Sequence, residues 1–170
     1  MTTDSLAPGT RHAWAIYLQA SEEARRRGDR RTGTEHLLLA VLEDPSAEAL
    51  LGVKLEAARH ALDSLDHDAL GVLGLTTGAD APSLAMRVVA TRPRLRDVVR
   101  SDRLRMTPVA KKVLERASKP NRRKLEVTSP QVLAQILALQ PPDPAAALLV
   151  ALSVNTAEVR RRVEATTVDR

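Results

Sequence analysis

The chain has no cysteine and no phenylalanine, and Trp14 and Tyr17 are its only aromatic residues. Without thiols there is no disulfide framework, thiolate metal site or cysteine nucleophile. Two aromatics are too few to stack the bases of a single-stranded nucleic acid. No apolar run approaches the roughly 18 residues that span a bilayer, and the N-terminus lacks the basic-then-apolar order of a secretory signal. A cytoplasmic protein with no membrane contact is expected. The sequence holds no Gly-x-x-x-x-Gly-Lys-[Ser/Thr] loop to cradle nucleotide phosphates. No nucleophile stands beside a base and an orienting partner, and no ligands occur at metal spacing. Glu22 and Glu23 are neighbours on one helix and do not face each other. The expectation is a non-enzyme with no cofactor and no metal. Runs of alternating β-branched or aromatic residues are also missing, which argues against a sheet and for an all-α fold. Its core must come from Leu, Val, Ala and Ile.

What the sequence does contain is a duplication. Thr10-Arg11-His12-Ala13-Trp14-Ala15-Ile16-Tyr17-Leu18-Gln19-Ala20 is answered by Thr107-Pro108-Val109-Ala110-Lys111-Lys112-Val113-Leu114-Glu115-Arg116-Ala117. With the threonines aligned, Ala13 falls on Ala110, Ile16 on Val113, Tyr17 on Leu114 and Ala20 on Ala117, a helical i, i+3, i+4, i+7 face behind the same cap residue. A second pair matches Thr32 to Leu42 with Val127 to Leu137, and a third matches Leu51 to Arg59 with Leu152 to Arg160. The order is preserved and length changes fall between blocks, where loops tolerate them. Each half reads as a long helix, a loop, a second helix, a short third and a fourth. Thr107-Pro108, Ser129-Pro130 and Asp143-Pro144 each set a capping oxygen before a proline at the first helical position. Asn155 with Glu158 forms a further capping pair. A small duplicated helical module points to a binding platform rather than an enzyme.

The formal net charge is +5. Arginine clusters occur at Arg25-Arg26-Arg27 with Arg30-Arg31, from Arg92 to Arg105, at Arg122-Arg123-Lys124 and at Arg160-Arg161-Arg162. Beside Glu22, Glu23, Glu158 and Glu164 such arginines read first as solvated helix faces. A nucleic-acid-binding regulator using the arginine-rich segments is the alternative reading. Residues 66–105 are the least repeated stretch. Leu70, Val72, Leu73 and Leu75 either extend the fourth helix or form a short one, and Ser83 to Thr91, between Pro82 and Pro93, reads as a further helix.

The repeated blocks resemble the Clp N-terminal domain, the paired four-helix repeat at the front of AAA+ unfoldases such as ClpA and ClpC. Gly33-Thr34-Glu35-His36-Leu37-Leu38-Leu39 carries the resemblance most specifically, with Glu22-Glu23-Ala24-Arg25-Arg26 before it and Leu51-Gly52-Val53 after it. The resemblance implies two tandem pseudo-symmetric four-helix repeats packed as one domain: a tail at 1–9, repeat one at 10–65, a basic connection at 66–105, repeat two at 106–165 and a tail at 166–170. It implies partners among Clp unfoldase or protease components, adaptors and phosphoarginine-marked proteins, and an accessory or decoy role. It also implies a phosphoarginine site in repeat one, where Glu35 pairs with the guanidinium while Thr10, capping helix one, and either Arg11 or an arginine of the neighbouring repeat hold the phosphate. In repeat two Thr107 is retained but Pro130 matches Glu35, so that site is expected to be dead. His36 is expected to pack and support the turn.

Overall fold

The computed structural model describes residues 10–72, 104–119 and 126–168. In repeat one α1 (Ala13–Arg27), α2 (Thr34–Leu42), α3 (Pro45–Leu51) and α4 (Leu55–Val72) follow one another. Repeat two supplies α5 (Pro108–Ala117), α6 (Ser129–Leu137), α7 (Pro144–Ala151) and α8 (Thr156–Val168). Four strands of two or three residues join these helices: β1 (Thr10–His12), β2 (Arg31–Thr32), β3 (Arg105–Met106) and β4 (Glu126–Thr128). The all-α expectation holds, with these short ladders added. They are too short to show as sequence alternation.

Helix starts follow the capping residues with two corrections. Thr107 caps α5 by accepting from Ala110 N at 3.3 Å, and Asp143 caps α7 by accepting from Ala145 N at 3.0 Å. Asn155 accepts from Glu158 N at 3.1 Å. In α6, however, the cap is Thr128 rather than Ser129, and Pro130 takes the second helical position. In α1 the helix begins only at Ala13, after His12, so Thr10 does not cap it. Thr10 is instead held extended by the ladder to β4. Helix α4 continues past residue 65 and takes in Leu70 and Val72, and α8 continues past 165. The expected helix at 83–91 and the cluster at 122–124 lie outside the described residues.

The repeats share one core. Every residue of α2 except Glu35 is buried, so α2 is the central helix, with α1, α3, α4, α5, α6 and α7 around it. Ile16 and Ala20 of α1, Leu37 to Leu42 of α2, Val132, Leu133, Ile136 and Leu137 of α6, and Leu148 and Leu149 of α7 belong to a single apolar cluster. Small and branched aliphatic side chains permit this close helix packing without aromatics.

Two polar contacts cross between repeats in mirror fashion. Ser129, first residue of α6, donates its hydroxyl to Asp44, the cap of α3, at 2.6 Å. Thr34, first residue of α2, donates its hydroxyl to Asp143, the cap of α7, at 2.8 Å. Each repeat thus fastens its second helix to the third-helix cap of the other. The matched turns after α3 and α7 repeat the theme: Gly52 has φ 67° and Ser153 has φ 54°, both left-handed.

Candidate functional site

The strand ladders decide which expected site residues meet. Strand β3 runs parallel to β2, with Arg31 opposite Arg105 and Thr32 opposite Met106, and Thr107 N donates to Thr32 O at 2.9 Å. Strand β1 runs antiparallel to β4, with Thr10 opposite Thr128, Arg11 opposite Val127 and His12 opposite Glu126. Thr107 therefore stands beside the entry to α2, which carries Glu35, while Thr10 and Arg11 stand beside the entry to α6, which carries Pro130. The expected grouping paired residues within each repeat; the structure pairs them across repeats. Intercalated strands are invisible to an alignment of one repeat on the other. One ladder is parallel and the other antiparallel, so the pseudo-symmetry fails at β1.

Glu35 is engaged in its own helix start. Gly33, at the N-cap, has no side chain to accept from the first turn, and the Glu35 carboxylate occupies the space a Cβ there would fill. His36 is buried at 1% exposure; its Nδ1 lies 3.0 Å from Gly33 N and 3.0 Å from Glu35 Oε1. Nδ1 serves only one at a time, accepting from Gly33 or, when protonated, donating to Glu35. His36 Nε2 lies 3.0 Å from Asp29 Oδ2, which ties α2 back to the turn after α1. Burial pushes the Glu35 carboxyl upward, but the His36 hydrogen bond and its own backbone N–H outweigh this and leave it below the ordinary glutamate range. In repeat two Gln131 plays the part of His36, its Oε1 accepting from Thr128 N at 2.9 Å. Glu35 is 16% exposed, so a ligand would compete with these internal contacts.

Arginines of α1 that read as solvated surface prove partly structural. Glu23 is 4% exposed and accepts from Arg59 of α4 and from Arg26. Burial raises the Glu23 carboxyl, and the Arg59 hydrogen bond and charge, followed by Arg26, bring it below the ordinary range. Arg27 reaches Asp63 and Asp66 on α4 in the same way. The sequence signal was the spacing of Glu23 and Arg26, one helical turn apart. Arg59 could not be found without the α1–α4 contact.

An open concavity lies elsewhere, between α1 and α5. Trp14 and Tyr17 line one wall and Leu114 and Met106 the other, enclosing about 790 Å³. Trp14 is 42% exposed, and its ring centroid lies 5.1 Å from that of Tyr17 at a 50° tilt. Tyr17 donates to Leu104 O at 2.7 Å, which anchors the entry to β3 along the groove edge. Lys111, Lys112 and Lys119 stand on the rim. Trp14 thus serves the surface, while Tyr17 packs partly against the core and partly lines the groove. The alignment had marked Tyr17, opposite Leu114, as a core position, whereas Trp14 falls opposite Lys111 and stands exposed. Among the described residues no group of three or more His, Cys, Asp or Glu could hold a metal ion, and no helix is long and apolar enough to cross a membrane.

No family model matches this sequence, and no curated protein matches it. Among solved structures, the N-terminal domain of the caseinolytic protease associated chaperone ClpD from Arabidopsis thaliana superimposes with a TM-score of 0.59 at 16% identity. The match covers 91% of this chain and 94% of that one. Among the described residues eight helices form two intercalated sets, and with this superposition they lead to one conclusion: the chain has a Clp-N-like all-α fold.

Proposed function

We propose that this chain is a non-catalytic, cytoplasmic protein-binding module that receives a partner segment in the α1–α5 groove and serves a Clp AAA+ protease as an accessory or decoy. The observation that carries this reading is the exposed Trp14 over an apolar groove of about 790 Å³, on a Clp-N-like fold. A soluble surface rarely leaves a tryptophan beside further apolar residues unless something covers it. Aromatic anchors in such hollows supply much of the energy at protein interfaces. The remaining exposed Trp14 surface amounts to roughly 100 Å², which at about 25 cal/mol per Å² is about 2.5 kcal/mol of binding. The test is anisotropy of a fluorescein-labelled, leucine-rich peptide. The Trp14→Ala variant should weaken binding at least about tenfold, and equal binding by variant and wild type would refute the groove.

The cross-repeat ladder favours a second, finer reading. Thr107 and Glu35 together would take a phosphoarginine side chain, with Glu35 on the guanidinium and the start of α5 on the phosphate. Thr10 and Arg11 would then belong to the Pro130 side, where proline stands in the place of Glu35. Calorimetric titration with a phosphoarginine peptide, and with its unmodified arginine counterpart, tests this. Saturable heat lost in Glu35→Ala supports it; no heat from either peptide would leave the groove as the working site.

A further inference from the structure

The β2–β3 ladder sets Arg31 directly opposite Arg105, and both side chains are exposed while Thr32 beside them is buried. Arg30, next in line, is exposed as well. Among the described residues no carboxylate pairs with Arg30, Arg31 or Arg105. Other arginines nearby are treated differently: Arg26 is held by Glu23 and Arg27 by Asp29, Asp63 and Asp66. Like charges directly opposed on a ladder repel. The ladder forms nonetheless, held by Thr107 N to Thr32 O and by the Tyr17 contact to Leu104. Two arginines rooted at paired positions of a ladder can both reach one anion, donating to one carboxylate or to neighbouring ones.

Its position connects it to the groove. Arg105 lies between Leu104, whose carbonyl accepts from Tyr17, and Met106, which lines the groove wall. We infer that Arg31 and Arg105 form an anion-reading extension of the α1–α5 groove. The partner segment they fit is an apolar stretch followed by a run of acidic residues. This rests on the groove reading and adds to it the chemistry of the partner. The apolar stretch covers Trp14 and Tyr17, and the acidic run passes over the ladder, where it removes the repulsion between the arginines. Lys112 and Lys119 on the rim add a general preference for negative charge, while Lys111 is paired with Glu115 at 3.7 Å. Carboxylates are favoured over nucleic acid because the adjoining surface is an apolar groove, and its two aromatics cannot stack a succession of bases.

The experiment uses two fluorescein-labelled synthetic peptides with the same leucine-rich core, one ending in a run of glutamates and one in glutamines. Binding is measured on the full chain and on an Arg31→Gln/Arg105→Gln variant, whose fold is checked by its circular dichroism melt. Both side chains are exposed and their removal relieves repulsion, so the variant should fold. The expected result is tighter binding of the glutamate peptide by wild type, about a tenfold loss in the variant, and no change for the glutamine peptide. A glutamate preference kept in full by the variant would overturn the inference while leaving the groove. Displacement of the glutamate peptide by a single-stranded oligonucleotide at lower concentration than by unlabelled peptide would also overturn it, in favour of nucleic acid. Failure of both peptides to bind wild type would instead strike the groove reading itself, and this extension with it.

Discussion

The reciprocal bonds between repeats make a sharp prediction about Asp44. Its carboxylate accepts from Ser46 N at 2.9 Å, from the Ser46 hydroxyl at 2.8 Å and from the Ser129 hydroxyl at 2.6 Å, and the residue is only 7% exposed. Asp44→Ala removes a helix cap, at about 1 kcal/mol. It also strands the Ser129 hydroxyl, which is fully buried, at about 1–3 kcal/mol. The sum is about 2–4 kcal/mol, which for a domain of this size lowers Tm by roughly 10 °C. Urea unfolding followed by far-ultraviolet circular dichroism reads this directly, with an unchanged m-value confirming a stability effect. Ser129→Ala alone should cost about 1–2 kcal/mol, but almost nothing once Asp44 is already alanine, because it then removes an orphan. The coupling in that double-mutant cycle should reach at least about 1 kcal/mol. Additivity within about 0.5 kcal/mol would refute the idea that this bond fastens one repeat to the other.

Three further outcomes follow from the same geometry. Glu23→Gln should cost about 2 kcal/mol at neutral pH by removing the negative charge and one of the two acceptor oxygens that Arg59 and Arg26 share, their partial exposure limiting the loss. Because the folded Glu23 carboxyl sits below its unfolded value, its contribution is complete above about pH 4.5 and fades as pH falls through the depressed folded value. Acid titration of stability should therefore be shallower in Glu23→Gln than in wild type. Ser153→Gly should raise stability by about 0.5 kcal/mol, since Ser153 holds the left-handed conformation that Gly52 adopts freely at the matched turn; a loss in thermal melts would contradict this. His36→Gln should fold with less than about 1 kcal/mol of loss, as Gln131 already makes the equivalent bond in repeat two, whereas His36→Ala should lose about 2 kcal/mol or more by urea titration.

Much of the fold was legible in the sequence because duplication and capping are local signals. Thr107-Pro108 and Asp143-Pro144 mark helix starts by chemistry confined to three or four residues, and the aligned apolar positions locate the shared core. The site was less legible because its contacts are not local. Nothing in the spacing of Thr10 and Glu35 reveals that β1 pairs with β4 and β3 with β2, so a within-repeat grouping was the natural expectation. Glu23 illustrates the same limit: its partner Arg59 is 36 residues away and meets it only when α1 lies on α4. The side chains aligned with Val113 and Leu114 behaved as core, while Trp14 on the same helix faced solvent, a difference that only packing decides.

Trp14 is the chain's only tryptophan, so its intrinsic fluorescence reports the groove without a label. The most direct measurement is its emission during titration with an unlabelled leucine-rich peptide ending in glutamates. Binding in the α1–α5 groove predicts a saturable blue shift as the exposed indole becomes covered. Binding seen by calorimetry with no change in Trp14 emission would place the partner elsewhere and contradict the account.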